Sequence, residues 1–272
     1  MKIRLWSDIH NEFGRLNWTR RDDDNETTLI IAGDFQVGDN SFDLLLELCN
    51  AFKYVLYTCG NHEYYHNQMQ QVNRQFGAFE ADCKNFYFLN PGHVVLDGVR
   101  FIGATLWTDL NDNNPVTVAQ VHRAMNDYVQ IRIGETYSIE HDEKRVVELT
   151  PYHTMELNRQ HSAYIEKVLA EPFDGKTVVF THHAPLMQSV VADARYSHGK
   201  HLTMNYAYGN TKLDRLFFDY DFVAWMHGHV HFRQEYEFNG KMVYSRPRGY
   251  HRYEICAKEY DDAKMDADII EI

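Results

Sequence analysis

Cysteine is scarce in this chain of 272 residues, where Cys49, Cys59, Cys83 and Cys256 are the only four. They are scattered, with no Cys-x-x-Cys pair, which argues against a thiolate zinc site and a disulfide framework and fits a reducing compartment. Proline is also sparse, at 6 residues, and no Pro-, Gly- or Ser-rich stretch marks a linker. Residues 1–272 are therefore expected to form a single domain. Long apolar runs are absent too, none approaching the roughly 20 residues that cross a bilayer. The stretch from Met1 to Trp6 reads as a short strand that meets Asp8 without a signal-peptide core, so a soluble, cytoplasmic chain with no membrane partner is expected. Basic residues are in deficit, 27 against 39 acidic ones for a formal charge of −12. That balance opposes tight binding to a long nucleic acid.

The chain does have a core's worth of apolar residues, 44% with 14% aromatic, and sixteen histidines. Several of those histidines end short apolar runs. Ile3 to Trp6 is followed by Asp8 and His10, Leu29 to Ala32 by Gly33-Asp34, and Tyr54 to Thr58 by Gly60-Asn61-His62-Glu63. Thr177 to Thr181 leads into His182-His183, and Phe222 to Met226 into His227-Gly228-His229-Val230-His231. Asp8, Asp34 and Asn61 are spaced by 26 and then 27 residues, about the length of a strand plus its crossover. Three parallel strand ends would set them side by side at the edge where open α/β sheets collect ligands.

Between these runs, Ser41 is expected to cap a helix carrying Phe42, Leu45, Leu46, Cys49 and Phe52, and residues 67–82 have helical spacing. Asp97-Gly98 and Asn239-Gly240 are two-residue hairpin signals. Thr117 and Thr211 are expected to cap further helices, and Thr150-Pro151 to start another. Residues 134–148 are polar and carry no clear period. Residues 188–210 read as a long loop, and 268–272 as a closing strand.

The donors gathered by the strand-end motifs are Asp8, His10, Asp34, Asn61, one of His182 and His183, His229 and His231, all oxygen or imidazole nitrogen. Such a set suits Mn, Fe, Co, Ni or Zn in a catalytic site. Seven donors exceed one ion's needs and suit two divalent ions roughly 3.5–4 Å apart, the arrangement that stabilises attacking and leaving oxygens at phosphorus. Asp34 lies between the flanking sets and is the natural bridge.

Taken in order, these five blocks resemble the calcineurin-like metallophosphoesterase superfamily, over residues 3–63 and 177–231. The resemblance implies an α/β fold, a four-layer αββα sandwich with two metals at the strand ends. It assigns Asp8, His10 and His231 to one metal and Asn61, His182 and His229 to the other, with Asp34 bridging. It further implies attack by a metal-bridging hydroxide, with His62 as the acid that protonates the leaving oxygen and His183 facing substrate or supporting a ligand. Protein phosphatases of the superfamily carry Asp-Arg-Gly shortly after Gly-Asp, and Gly33 to Asp39 has no arginine. The pattern is closest to class III cyclic-nucleotide phosphodiesterases, which implies a small phosphodiester or nucleotide as substrate.

The 188–210 stretch leaves the chain just after His182-His183, and its Arg195, His198 and His201 are expected to meet phosphate oxygens, while Tyr196, Tyr206 and Tyr208 offer faces for stacking. Arg248 is a further expected substrate contact. Two other readings are kept: a phosphomonoesterase or a nuclease on short single strands, and a non-catalytic metal-binding scaffold. A scaffold has no use for His62, which is not needed as a ligand. The sequence leaves the oligomeric state open.

Overall fold

The computed structural model describes residues 1–138, 143–191, 202–251, 253–254 and 269–272. Arg195, His198 and His201 lie outside them. The strands of the first half are β1 (Lys2–Trp6), β2 (Thr27–Ala32), β3 (Tyr54–Thr58), β4 (Phe86–Phe88), β5 (Gly92–Leu96) and β6 (Val99–Ala104). Those of the second are β7 (Arg132–Ser138), β8 (Glu143–Glu148), β9 (Lys176–Thr181), β10 (Ala224–His227), β11 (Gln234–Phe238), β12 (Lys241–Ser245) and β13 (Ile270–Glu271).

One five-stranded sheet has the order β13-β1-β2-β3-β4, all parallel except the antiparallel edge strand β13. A six-stranded sheet has the order β11-β12-β10-β9-β6-β5, with four parallel central strands and an antiparallel hairpin partner at each edge. Those hairpins turn at Asp97-Gly98 and Asn239-Gly240, where all four residues have positive φ. That is the two-residue turn whose twist matches the strands.

Side chains alternate across each strand, and both faces are apolar. In the first sheet Leu5, Ile30 and Leu56 stand in register on one face, and Trp6, Ile31 and Tyr57 on the other. In the second, Phe101, Val178 and Ala224 share one face, and Ile102, Val179 and Trp225 the opposite one. The Leu5 and Phe101 faces form one buried cluster between the sheets. Outside the first sheet, Leu45 and Leu48 of the helix Phe42–Ala51 and Val72 and Phe76 of the helix Met69–Asp82 cover the Trp6 face. Outside the second, Ile165 and Val168 of the helix Pro151–Ala170 and Leu216 and Phe217 of the helix Asp214–Asp219 cover the Trp225 face. The result is four layers, helix-sheet-sheet-helix.

Several local expectations are corrected. The helix Pro115–Ala124 is capped by Asn114, whose Oδ1 accepts from Val116 and Thr117 N, so Thr117 sits one turn inside. Thr211 caps nothing and instead binds the Asp109 carboxylate through its N and Oγ1. The polar 134–148 region contributes to the separate hairpin β7-β8, whose lack of an apolar period reflects its place outside both main sheets. Residues 188–210 are not loop throughout, since a short helix runs over Met187–Val191 and a 3-10 turn over Met204–Ala207. Among the described residues no helix is long and apolar enough to cross a membrane.

Phe180 is fully buried in the layer between the sheets. Phe180→Ala is expected to lower the unfolding free energy by about 3–5 kcal/mol, the usual cost of a large aromatic cavity. The measurement is the urea midpoint at unchanged slope. A change within the roughly 0.5 kcal/mol typical of surface sites would show that this layer is not close-packed.

Candidate metal centre

The parallel strands of both sheets deliver their C-terminal ends to one edge, and the chain there is bent sharply. Asp8, His10, Asp34 and His229 all have positive φ, between 47° and 64°. For a residue with a Cβ this conformation costs on the order of 1–2 kcal/mol, and four instances among the candidate ligands indicate that the surrounding fold enforces them. Glycine makes the approach possible at Gly60, where a Cβ would collide with Asp34 Oδ1. Glu63 ties the bends together. Its buried carboxylate accepts from Gly60 N (2.7 Å), Asp34 N (3.0 Å), Phe35 N (2.7 Å) and Tyr57 Oη (2.7 Å). Burial and the nearby Asp34 carboxylate push Glu63 up to about 7, so the four donors offset a large desolvation cost.

The donors fall into three overlapping groups: His10, Asp34 and His62 lie within reach of one cation, and two further groups flank them. Asp8, His10 and His231 form the first, with His10 Nε2 3.2 Å from His231 Nε2 and His231 Nε2 3.3 Å from Asp8 Oδ1. Asp34, His182 and His229 form the second, with His182 Nε2 3.1 Å from His229 Nδ1 and 3.0 Å from Asn61 Oδ1. Asp34 Oδ2 lies 3.5 Å from both His10 Nε2 and His182 Nε2. His182, and not His183, is therefore the member of the pair that faces Asp34.

Whether metal ions fit these groups can be judged from the remaining hydrogen bonds. His182 donates through Nδ1 to the Ala32 carbonyl (2.9 Å), which assigns a lone pair to Nε2 in the neutral ring. That lone pair points at Asn61 Oδ1 and Asp34 Oδ2, which are acceptors themselves. His10 and His231 likewise use Nδ1 on Glu12 (3.1 Å) and Glu254 (2.5 Å), leaving their two Nε2 lone pairs face to face. Converging acceptors of this kind need a cation or a proton between them. The carboxylates favour positive charge there: against the burial penalty, Asp34 and Asp8 carry His182 up to about 9, and Asp8 and Glu254 carry His231 up to about 10. Second bonds from ligand imidazoles to carboxylates and carbonyls are the usual support of metal sites. The residues fit divalent cations.

His62 sits beside both groups, its ring centroid 4.3 Å from that of His10 and its backbone N donating to Asp34 Oδ1 (2.8 Å). Both ring nitrogens are engaged elsewhere, Nδ1 with Glu12 (3.0 Å) and Nε2 with Tyr250 Oη (3.2 Å). Although burial opposes the charge, Asp34 and Glu12 raise its pKa above the ordinary histidine value.

Four residues of this neighbourhood escaped the sequence reading: Glu12, Asp127, Tyr250 and Glu254. Glu12 was within reach of it, because Asp8, His10 and Glu12 continue one alternation of polar residues at the strand end. The other three lie in segments without a motif. Of the expected substrate contacts, Arg248 is corrected. It is 1% exposed, and its guanidinium donates to the carbonyls of Ile9 (3.0 Å), Gly14 (2.6 Å) and Arg15 (3.3 Å), fastening the loop after β1. His183 is buried, hydrogen-bonded through Nδ1 to Thr105 O (3.1 Å) with its ring 4.2 Å from His229. Burial and the neighbouring His182 push it down to about 3, so it is neutral. His227 is sealed below the site, bonded to Ser189 Oγ (2.9 Å) and Gly228 O (2.9 Å). Tyr208 stacks on His229 at 4.9 Å, so the end of the 188–210 stretch does reach the site. A cavity of about 240 Å³ opens over the donors, lined by Asp34, Asn61, Tyr65, Met125, Tyr208, His229, Tyr250 and Glu254 among others.

The sequence matches the model of calcineurin-like phosphoesterases over residues 1–233. It is 25% identical over 273 aligned residues to the uncharacterized protein L509 of Acanthamoeba polyphaga mimivirus, with 91% of each chain covered. Among solved structures it is similar to the phosphopantetheinyl hydrolase PptH of Mycobacterium tuberculosis, with TM-score 0.67, 17% identity and coverage of 94% of this chain and 93% of that one. That likeness concerns the fold. With the family model spanning most of the chain, and β1, β2, β3, β9 and β10 delivering its strand-end motifs to one edge, the chain belongs to the calcineurin-like phosphoesterases.

Proposed function

We propose that the protein is a hydrolase that holds two divalent metal ions and cleaves a small phosphoester, a phosphodiester in preference to a monoester. The observation that carries this reading is the pair of buried donor groups sharing Asp34 Oδ2, with His62 alongside and its two ring nitrogens bonded to Glu12 and Tyr250. In this reading Asp8, His10 and His231 hold one ion, Asn61, His182 and His229 the other, and Asp34 both. The ions, when bound, supply Lewis acidity and lower the pKa of coordinated water.

The protein's own residues do the rest. Glu12 orients both His10 and His62, accepting from the two Nδ1 atoms with one oxygen. His62, its pKa raised by Asp34 and Glu12, keeps a proton on Nε2 for the leaving oxygen. Tyr250 Oη occupies that donor in the resting site, and a leaving oxygen would take its place. The small cavity suits a small substrate. Its lining, among the described residues, includes no lysine or arginine and does include Glu254. A monoanionic diester needs less neutralisation there than a dianionic monoester, which favours the diester.

The roles of Asp34 and His62 are separable by metal content. Asp34→Ala is expected to weaken both metal sites together and His231→Ala mainly one, counted by metal analysis after dialysis. His62→Ala is expected to keep both ions while turnover falls by roughly 10² to 10⁴, the range for a positioned acid. Full metal content in Asp34→Ala would remove Asp34 as the bridge, and loss of metal in His62→Ala would make His62 a ligand. For the substrate, chelator-stripped protein reloaded with Mn²⁺ is expected to hydrolyse an aryl phosphodiester faster than the matching monoester, and the opposite order would make it a monoesterase.

A further inference from the structure

Asn61 can serve a cation only through its amide oxygen, and an amide can flip. Nothing within the strand-end motif settles the choice. Asn61 Nδ2 reaches Tyr65 Oη only at 3.4 Å, and its close partner comes from 66 positions further on: Asp127 Oδ1 accepts from Asn61 Nδ2 at 2.8 Å, which leaves Asn61 Oδ1 facing His182 Nε2 at 3.0 Å. The same Asp127 oxygen accepts from Tyr65 Oη at 2.8 Å, and the Tyr65 ring stacks on His62 at 4.2 Å and 23°. Asp127 is itself only 3% exposed.

The segment carrying Asp127 is held firmly against the loop that follows His62. His66 N donates to Gln130 O (2.8 Å), Arg132 N donates to Asn67 O (3.1 Å), and Gln68 and Arg132 form a parallel bridge. The 126–132 stretch therefore holds its place relative to Asn61 through main-chain bonds as well as through the carboxylate.

We infer that Asp127 is a positioning residue, which fixes the orientation of the Asn61 amide so that its oxygen faces the second cation, and steadies Tyr65 beneath His62 by the same oxygen. This rests on the two-metal reading above. A buried acceptor that merely joined two loops would contribute to folding and leave metal affinity alone. An orienting acceptor contributes to one ion only, since Asn61 belongs to one donor group.

The test is Mn²⁺ binding to the full chain after chelator treatment, by calorimetric titration and metal analysis, with circular dichroism to confirm the fold. Asp127→Ala is expected to bind one ion about 10- to 100-fold more weakly, the usual effect of losing a ligand's support, with the other ion unchanged. Asp127→Asn keeps an amide oxygen to accept from Asn61 and Tyr65 and is expected to stay close to the unsubstituted protein. Asn61→Ala combined with Asp127→Ala should be no weaker than Asn61→Ala alone, because coupled residues are not additive. Asp127→Leu, which fills the volume without an acceptor, gives the same reading where Asp127→Ala does not fold. Two ions bound normally by Asp127→Ala or Asp127→Leu would overturn the inference and leave the two-metal reading standing. Equal losses in Asp127→Asn and Asp127→Ala would also overturn it, since charge rather than orientation would then be at work. A single Mn²⁺ per unsubstituted chain would remove the two-metal reading and this inference with it.

Discussion

The arrangement depends on where one carboxylate is held. Asp34 Oδ2 must reach both His10 on the first sheet's side and His182 at the end of the second sheet, and it stands 3.5 Å from each. To put it there the chain leaves β2 through Gly33 and Asp34, both at positive φ, while Gly60 passes so close that no side chain fits. The cost of those backbone conformations is offset by hydrogen bonds at fixed points. Asp34 Oδ1 accepts from His62 N, and Glu63 accepts from Asp34 N, Phe35 N and Gly60 N. The Glu63 of the Gly60-Asn61-His62-Glu63 motif thus touches no proposed ion, yet it sets the geometry that the others use.

The seam between the sheets has a related constraint. His182 Nε2 stands 3.0 Å from Asn61 Oδ1, 3.1 Å from His229 Nδ1 and 3.5 Å from Asp34 Oδ2, so a ring lone pair converges with two oxygen acceptors. Such a cluster is repulsive unless something positive sits in it, so any cation bound there contributes to the stability of the seam as well as to chemistry. The sheets also meet at this point through the His182 side chain, whose Nδ1 donates to Ala32 O at the end of β2. Ligand geometry and sheet packing are in this sense one problem: shifting β9 against β2 would move His182 away from Asp34.

How much of this was legible in the sequence varies with the distance over which a residue acts. The central strands were readable because burial on both faces makes them continuous apolar runs, and the hairpins because Asp97-Gly98 and Asn239-Gly240 tolerate positive φ. Asp8, His10, Asp34, Asn61, His182, His229 and His231 were readable because each stands just beyond such a run. Asp127 and Glu254 were not, since a carboxylate's partner can come from any part of the fold and nothing local marks it. Arg248 misled for a related reason. Its donors suit phosphate oxygens and carbonyl oxygens alike, and only burial showed that carbonyls of the loop after β1 take them. Thr117 and Thr211 were plausible caps, but Asn114 caps the first of those helices and the Asp109 carboxylate takes up the N and hydroxyl of Thr211.

The histidines of His227-Gly228-His229-Val230-His231 show how placement, more than residue type, decides chemistry. His227 still belongs to β10 and turns under the edge, where Ser189 and the Gly228 carbonyl satisfy both nitrogens and burial pushes its pKa down to about 4. One glycine later the chain bends into the left-handed region at His229, Asp8 accepts from His229 N, and the next two imidazoles emerge on the opposite side among Asp8, His10 and His182. What surrounds them is then supplied from elsewhere. Tyr250 and Glu254 reach His62 and His231 from a segment beyond residue 233, where the family match ends. Gly249 N donating to Asp8 O and Arg248 N donating to Ser7 O hold that segment against the end of β1, so a portion of the chain outside the shared pattern closes one wall of the shared site. Features that set this protein's substrate apart from others of the family should therefore be sought in that wall and in Ala124, Met125 and Asn126, which line the same cavity, since the donors beneath belong to the pattern the family shares.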